Sequence, residues 1–355
     1  MTEQQFLNEL DTYLEKLSEN ERQVIRRDFI EYFEHGRSEG KSAKDIIESL
    51  GDIPELATEI LAAYEEEEAE EALNAVAFHP TIDAQRLFQD VHVKANNVSL
   101  TIKAANITEP YVDVKDKDQH TEVDLSIKDN KLHVQINRKE KYFRILFITF
   151  ITKTNSVDAT LYLPIKQYNE IIVQNDNGLV KVKKLQFNTC QLHSDNGRVI
   201  VNKCAGTALN ASSHNARVMV VKSSINHIVA MSHNGRVVTS DCEAEAISLK
   251  SSNGQIQCKY SSGDIEIFTS NSPVKIEMAQ ASGNMTVQTD NGSISVVTKE
   301  QLENCRLQLR SGVGSTSVYG TKTKSYTNGH ETYTLKFTSH TGNIKVKQLE
   351  TELVK

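Results

Sequence analysis

Two periodicities divide the chain. Up to residue 64 the apolar residues return every three or four positions, the spacing of helices, and from Thr81 onward they alternate with polar ones, the spacing of strands. Phe6, Leu7, Leu10, Tyr13, Leu14 and Leu17 predict a first amphipathic helix with Glu3, Glu9, Asp11 and Glu15 on its wet face. Ser18 and Glu21 form a capping-box pattern ahead of a second helix built on Val24, Ile25, Phe29, Tyr32 and Phe33 and ending near Gly36. Ser42 with Asp45 opens a short third helix on Ile46, Ile47 and Leu50, closed at Gly51. Pro54 suits the first turn of a fourth, carrying Leu56, Ile60, Leu61 and Tyr64.

Beyond Thr81 short strands are predicted at Val91 and Val93, Val98 to Ile102, Val123 to Ile127, Leu132 to Ile136 and Ala159 to Leu163. A four-residue signature then returns every nineteen residues: NDNG ending at Gly178, SDNG at Gly197, SHNA at Ala216, SHNG at Gly235 and SSNG at Gly254, with TDNG at Gly292 two periods further on. A period of that length signals a solenoid, in which each coil buries its apolar residues only against its neighbours. Two apolar pairs per coil should face the core, as in Val199 with Val201 and Leu209 with Ala211. Asn-Gly at the corners is expected to supply positive φ. Pro273 takes the place of Gly in the sixth coil, where Val274 and Ile276 come one residue early, so a bulge or tightened corner is expected there. SHTGNIKV, Ser339 to Val346, should form a terminal coil, with the irregular stretch from Thr298 to Tyr333 helping to cover the end.

At 355 residues the chain is long enough for two domains. Charge agrees: residues 1–80 carry 7 Lys and Arg against 21 Asp and Glu, and residues 81–355 carry 33 against 26. The run Glu65 to Glu71 reads as a solvated helix end grading into a linker, or as a docking strip for a basic partner, the second domain being one candidate. No apolar run approaches the ~20 residues that cross a bilayer. The N-terminus is acidic and amphipathic rather than signal-like, so a cytoplasmic protein is expected, peripheral at most at the inner membrane face. Five cysteines without a C-x-x-C pair point to buried thiols, and Cys204 and Cys242, one coil apart from contact, should be too distant to bridge.

Stacking turns a sequence position into a column of side chains about 4.8 Å apart. Asn177, Asn196, Asn215, Asn234, Asn253 and Asn291 form a column whose amides can bond along the stack. One residue earlier come Asp176, Asp195, His214, His233, Ser252, Asn271 and Asp290. Asp195, His214 and His233 offer metal-type ligands, but outward side chains on one column do not converge, so no metal and no cofactor are expected. Arg198, Arg217 and Arg236 form a third column, a candidate for binding anions such as a lipid head group or polymer, or else a solvated face balanced by nearby acids. FRILFITFI, Phe143 to Ile151, reads as a buried strand rather than a loop dipping into a membrane surface. No nucleophile elbow, phosphate loop, dinucleotide fingerprint or H-E-x-x-H pattern occurs, and the dispersed basic residues with few aromatics argue against nucleic acid.

Residues 1 to 65, above all Leu17 to Glu21, Glu31 to Gly40 and the S-L-G-D-I-P-E turn from Ser49 to Glu55, resemble the bacterial HAAS domain. That resemblance implies a helical module linked with PadR-type regulators and envelope signalling, usually ahead of membrane helices, which this sequence does not show. Residues 85 to 350 resemble the Toastrack family of adhesin-like β-strand-repeat proteins, through LYLPIK at Leu161 to Lys166, the run Ile171 to Val182 and the S-x-N-G-x-V-x-V corners. This second resemblance implies a non-enzymatic protein answering envelope or antibiotic stress. The expected architecture is α + β and multidomain: a small helical bundle (1–75), a linker (76–84) and a right-handed β-solenoid with coils of about nineteen residues (85–355). The expected function is signalling or scaffolding through protein partners, a transcription regulator or a membrane signalling protein. A module binding polyanion, lipid head group or polysaccharide is the alternative, and a carbohydrate-active enzyme ranks third.

Overall fold

Two sheets of thirteen strands each, parallel except at their edges, face one another across a single apolar core in the computed structural model. The structure describes residues 1–17, 19–38, 42–50, 52–54, 56–58 and 61 of a helical unit and residues 88–115, 121–138, 141–145, 148–152 and 157–349 of the solenoid. The chain divides into units of residues 1–79 and 80–355. The acidic run at 65–71, most of the fourth helix and the expected linker lie outside the described residues.

In the helical unit, α1 (Glu3–Tyr13), α2 (Glu19–Ser38) and α3 (Ala43–Leu50) bury Phe6, Leu10, Leu14, Ile25, Phe33 and Ile46. Phe6 meets Phe33 edge to face at 5.5 Å. The expected box at α3 is present, with the Asp45 amide donating to Ser42 Oγ at 3.2 Å and the Ser42 amide to Asp45 at 3.0 Å. A second box, Thr2 with Gln5, starts α1. This first helix stops at Tyr13, short of Leu17, and Tyr13 is exposed rather than part of the buried stripe.

Each regular coil has one long and one short strand: Gln186–Ser194 with Val199–Asn202, Ala205–Ser213 with Val218–Val221, Ser224–Ser232 with Val237–Ser240. Register advances by nineteen residues, as in Val199 beside Val218 beside Val237. The predicted inward pairs are buried throughout, including Val199, Val201, Leu209, Ala211, Ile228 and Ala230. All five predicted strands before the repeat are present. The segment around Phe143 forms a two-stranded hairpin, Lys141–Ile145 with Ile148–Thr152, apart from both large sheets rather than a strand within them.

Three expectations about the repeat change. Positive φ recurs at the opposite corner, on Lys184, Lys203, Lys222, Asp241 and Tyr260, whereas at the signature corner Gly178 and Gly342 adopt it, at 112° and 151°, and Gly197, Gly235 and Gly254 do not. Glycine serves proximity there: a Cβ on Gly235 would stand 2.1 Å from the Ala216 carbonyl oxygen of the preceding coil. The irregularity of the sixth coil is not at Pro273. Ile256 pairs with Val274 and Asn271 bonds to Asn253, so Ser272 holds the glycine place, and the register slips instead between Glu243 and Ala246, opposite Ser262–Asp264.

The third change concerns order. Tyr333–Thr341 and Ile344–Gln348 form a coil, as SHTGNIKV suggests, yet it is inserted between Met285–Asn291 with Ile294–Thr298 and the earlier segment Cys305–Val313 with Thr316–Val318. The stretch between Thr298 and Tyr333 therefore supplies the outermost coil, and two short antiparallel strands, Thr321–Lys322 and Ser325–Asn328, close the sheets. The other end repeats the device: Lys131–Arg138 and Val157–Pro164 lie outside Asp90–Asn96 and Val98–Ala105, with Thr121–Lys128 and Tyr111–Val114 antiparallel at the edges. Both sheets thus end in antiparallel strands.

Candidate functional site: the asparagine corner

The corner bearing the repeated signature collects the candidate residues on neighbouring columns. Because every coil turns with the same four residues, each amide meets its counterpart one coil away. Asn196 Nδ2 donates to Asn177 Oδ1 at 2.7 Å, Asn215 to Asn196 at 2.7 Å, Asn234 to Asn215 at 2.8 Å and Asn253 to Asn234 at 2.9 Å. Asn271 and Asn291 continue the ladder at 2.9 and 3.0 Å, and Asn177 extends it to Asn97 at 3.0 Å. Asn271 thus belongs to this ladder, not to the Asp and His column. Ser270 precedes it there, since the coil is one residue short. These amides are committed to one another, which leaves little for a ligand to claim.

A second ladder stands just inside. Ser194, Ser213, Ser232 and Ser251, the first residues of the signature, point into the core end of the corner and are buried. Each hydroxyl accepts the amide N–H of its own corner and donates to the carbonyl of the preceding one. Ser232 takes the Gly235 N–H at 2.9 Å and gives to the Ala216 oxygen at 2.9 Å. Asn175, Thr289, Ser339 and Ser311 make the donating bond in the other coils, Asn175 to the Val98 carbonyl. The pattern lapses at Thr269, whose hydroxyl has no partner among the described residues, in the same coil where Ser272 replaces glycine. Sequence reasoning passed over this column, although a serine three residues ahead of Gly197, Ala216, Gly235 and Gly254 was its visible sign.

Outside the amides, His214 and His233 stack with ring centroids 5.0 Å apart. His193, not singled out from the sequence, bonds Asp195 at 2.9 Å and Ser212 at 2.9 Å, and His233 meets Ser252 at 3.1 Å. Asp195, His214 and His233 are exposed and parallel rather than convergent, and among the described residues no group of three or more acidic, histidine or cysteine side chains is arranged to hold a metal ion.

Arg198, Arg217 and Arg236 occupy one column, fixed by backbone bonds from Val180, Val199 and Val218 to their carbonyls at 2.8, 3.0 and 2.9 Å. Arg198 is exposed, while Arg217 and Arg236 are half-buried and neither is without a partner. An anion would therefore compete with those partners rather than fill a vacancy.

The cysteines are buried and reduced. Burial pushes Cys204, Cys258 and Cys305 up to about 11 and raises Cys190 and Cys242 as well, so none is a ready nucleophile. Ser223 separates Cys204 from Cys242 in their shared column. Lys166 of the LYLPIK stretch is buried over the Phe88 ring at 4.0 Å and donates to the Phe88 carbonyl, and burial lowers it to about 8. A hollow of about 600 Å³ near the far end is lined by Gln280, Glu300, Glu303, Asn304 and His330 among others. Its polar groups are partly spent on one another: the Glu303 amide bonds Gln280 at 3.0 Å and the His330 amide bonds Asn304 at 3.1 Å.

The parallel nineteen-residue stack coincides with a family match over residues 88–352, to the model described as Toastrack DUF4097. The chain belongs to the Toastrack family. Residues 5–59 match the HAAS model, so the two resemblances read from the sequence hold, each over its own unit. A search of curated proteins gave no match. A crystal structure from Clostridium sporogenes ATCC 15579, described as a putative cell adhesion protein, aligns over 74% of this chain and 95% of its own with 10% identity and a TM-score of 0.21. That score is too low to carry an argument about this Toastrack protein. No helix among its described residues is long and apolar enough to cross a membrane.

Proposed function

We propose that this Toastrack protein is a non-enzymatic scaffold that acts through protein contacts in bacterial envelope-stress regulation. The observation that carries this reading is where the repeated polar residues go. The asparagine and serine columns are consumed in holding coil to coil, and the outward Asp195, His214 and His233 stand in parallel, so the most regular part of the molecule is a rigid surface rather than a reaction centre. Both matched domain types are generally protein-interaction modules, and the regulatory setting comes from the kinship with HAAS and Toastrack proteins. Covalent capture in the source cell with the full chain as bait tests the proposal. Discrete protein adducts are expected, and adducts confined to lipid or polysaccharide would overturn it.

A second reading, anion binding, is favoured by the register that holds Arg198, Arg217 and Arg236 side by side. Arg217→Ala should then weaken binding of the full chain to vesicles rich in anionic lipid by about tenfold, the loss of one charge-assisted contact. Equal, low binding by wild type and variant would remove this reading.

A further inference from the structure

We infer that the Thr121–Lys128 strand is a dimerisation edge, pairing antiparallel with the same strand of a second copy so that two solenoids join end to end. The two ends of the stack are treated differently. At one, the sheets finish in strands of two and four residues, Thr321–Lys322 and Ser325–Asn328, short enough to offer little pairing length. At the other, the long-strand sheet finishes in eight residues, TEVDLSIK, without proline, glycine or an inward charge, and among the described residues no strand pairs with its outer side.

Backbone geometry shows which groups that edge presents. Lys128 and Lys131 flank the two-residue turn Asp129–Asn130, whose φ values of 51° and 62° mark a type I′ hairpin. The flanking pair of such a hairpin is hydrogen-bonded, so Lys128, Ser126, Asp124 and Glu122 direct their peptide groups toward the Lys131–Arg138 strand. Val123, Leu125 and Ile127 consequently direct theirs at the outer edge.

Self-pairing centred on Leu125 uses those groups. Leu125 then faces its own copy, and Val123 faces Ile127 in hydrogen-bonded pairs on both sides of the two-fold axis. On the outer face the same register sets Glu122 against Lys128 twice and Asp124 against Ser126, with no like charges opposed. A shift by two residues in one direction opposes Asp124 to Asp124, and in the other it drops Val123 from the pairing. The side chains on the core-facing side also lack full cover in a single copy: Val123 and Leu125 are half-buried and Ile127 is 39% exposed. A second copy would cover them with Ile127, Leu125 and Val123, an isologous contact that closes at two subunits.

Sedimentation velocity of the full chain over a wide concentration range tests the inference. The wild type should run at twice the chain mass. Lys128→Glu, an exposed change that opposes two pairs of glutamates, should raise the dimer dissociation constant at least tenfold, and the swap Glu122→Lys with Lys128→Glu should restore it. A wild type that stays monomeric throughout would overturn the inference, as would a dimer indifferent to Lys128→Glu, or a swap that fails to restore dimers while circular dichroism shows it folded.

Discussion

Replacing Ser232 by alanine should cost more stability than replacing its neighbour Asn234, although the asparagine ladder is the more conspicuous of the two. Ser232 is 5% exposed, accepts the Gly235 N–H and donates to the Ala216 carbonyl, both at 2.9 Å. Alanine leaves a peptide N–H and a peptide oxygen without that partner where water does not replace it, at about 1–3 kcal/mol for each group, hence about 2–6 kcal/mol together. Asn234 also makes two bonds, to Asn215 and from Asn253, but it is exposed and water can substitute, so Asn234→Ala should cost about 1 kcal/mol. Ser232→Thr is the control, since Thr289 makes the equivalent donating bond at 3.1 Å, and it should stay within about 1 kcal/mol of wild type. Urea unfolding followed by far-ultraviolet circular dichroism, reporting the β signal, gives the ranking. If Asn234→Ala proves equal to or more damaging than Ser232→Ala, the inner ladder is not the principal polar tie between coils.

Other outcomes follow from burial and backbone conformation. Thiol reagents should label the native protein slowly at pH 8 and rapidly once it is unfolded, because Cys204, Cys258 and Cys305 sit near 11 and the remaining two are also raised. Their raised folded values mean stability is intact below the ordinary value of 9.0 and is lost as pH climbs toward 11, which alkaline urea titrations will read. Lys166 works in the opposite sense. Its value falls from 10.5 to about 8, so its contribution is lost as pH falls through 8, and Lys166→Met should flatten the rise in stability between pH 8 and 9. At the opposite corner, Lys222→Gly should leave stability unchanged or raise it by up to about 1 kcal/mol in the same urea assay, since it relieves a φ of 48°.

What the sequence displays of this fold is its local part. Val199 with Val201 and Leu209 with Ala211 could be placed inside because a strand's two faces alternate residue by residue and the spacing repeats nineteen positions on. The left-handed corner escaped notice because Lys184, Lys203, Lys222, Asp241 and Tyr260 occupy it, and no glycine marks the strain. At the other corner Gly197, Gly235 and Gly254 signal the absence of room rather than backbone conformation, and both demands select the same residue. Asn271 was misplaced by one column because its coil loses a residue near Gly263, a slip visible only once Ala246 is seen beside Asp264. The order of the end coils is not a local property at all: Tyr333–Thr341 is an ordinary strand by pattern, and only pairing puts it inside Cys305–Val313. Among candidate site residues the columns themselves were legible, whereas the contact of His193 with Asp195 depends on side chains crossing from strand to corner.

Hydrogen exchange on the full chain, alone and with a protein captured from the source cell, tests the central claim most directly. A surface that recognises without reacting should gain protection over a broad outer face of the solenoid or over the helical unit, with the buried ladder amides of Gly197, Gly235 and Gly254 slow in both states. Protection confined to the few residues around Asp195, His214 and His233, together with turnover of a small molecule that is lost in Asp195→Ser, would contradict it.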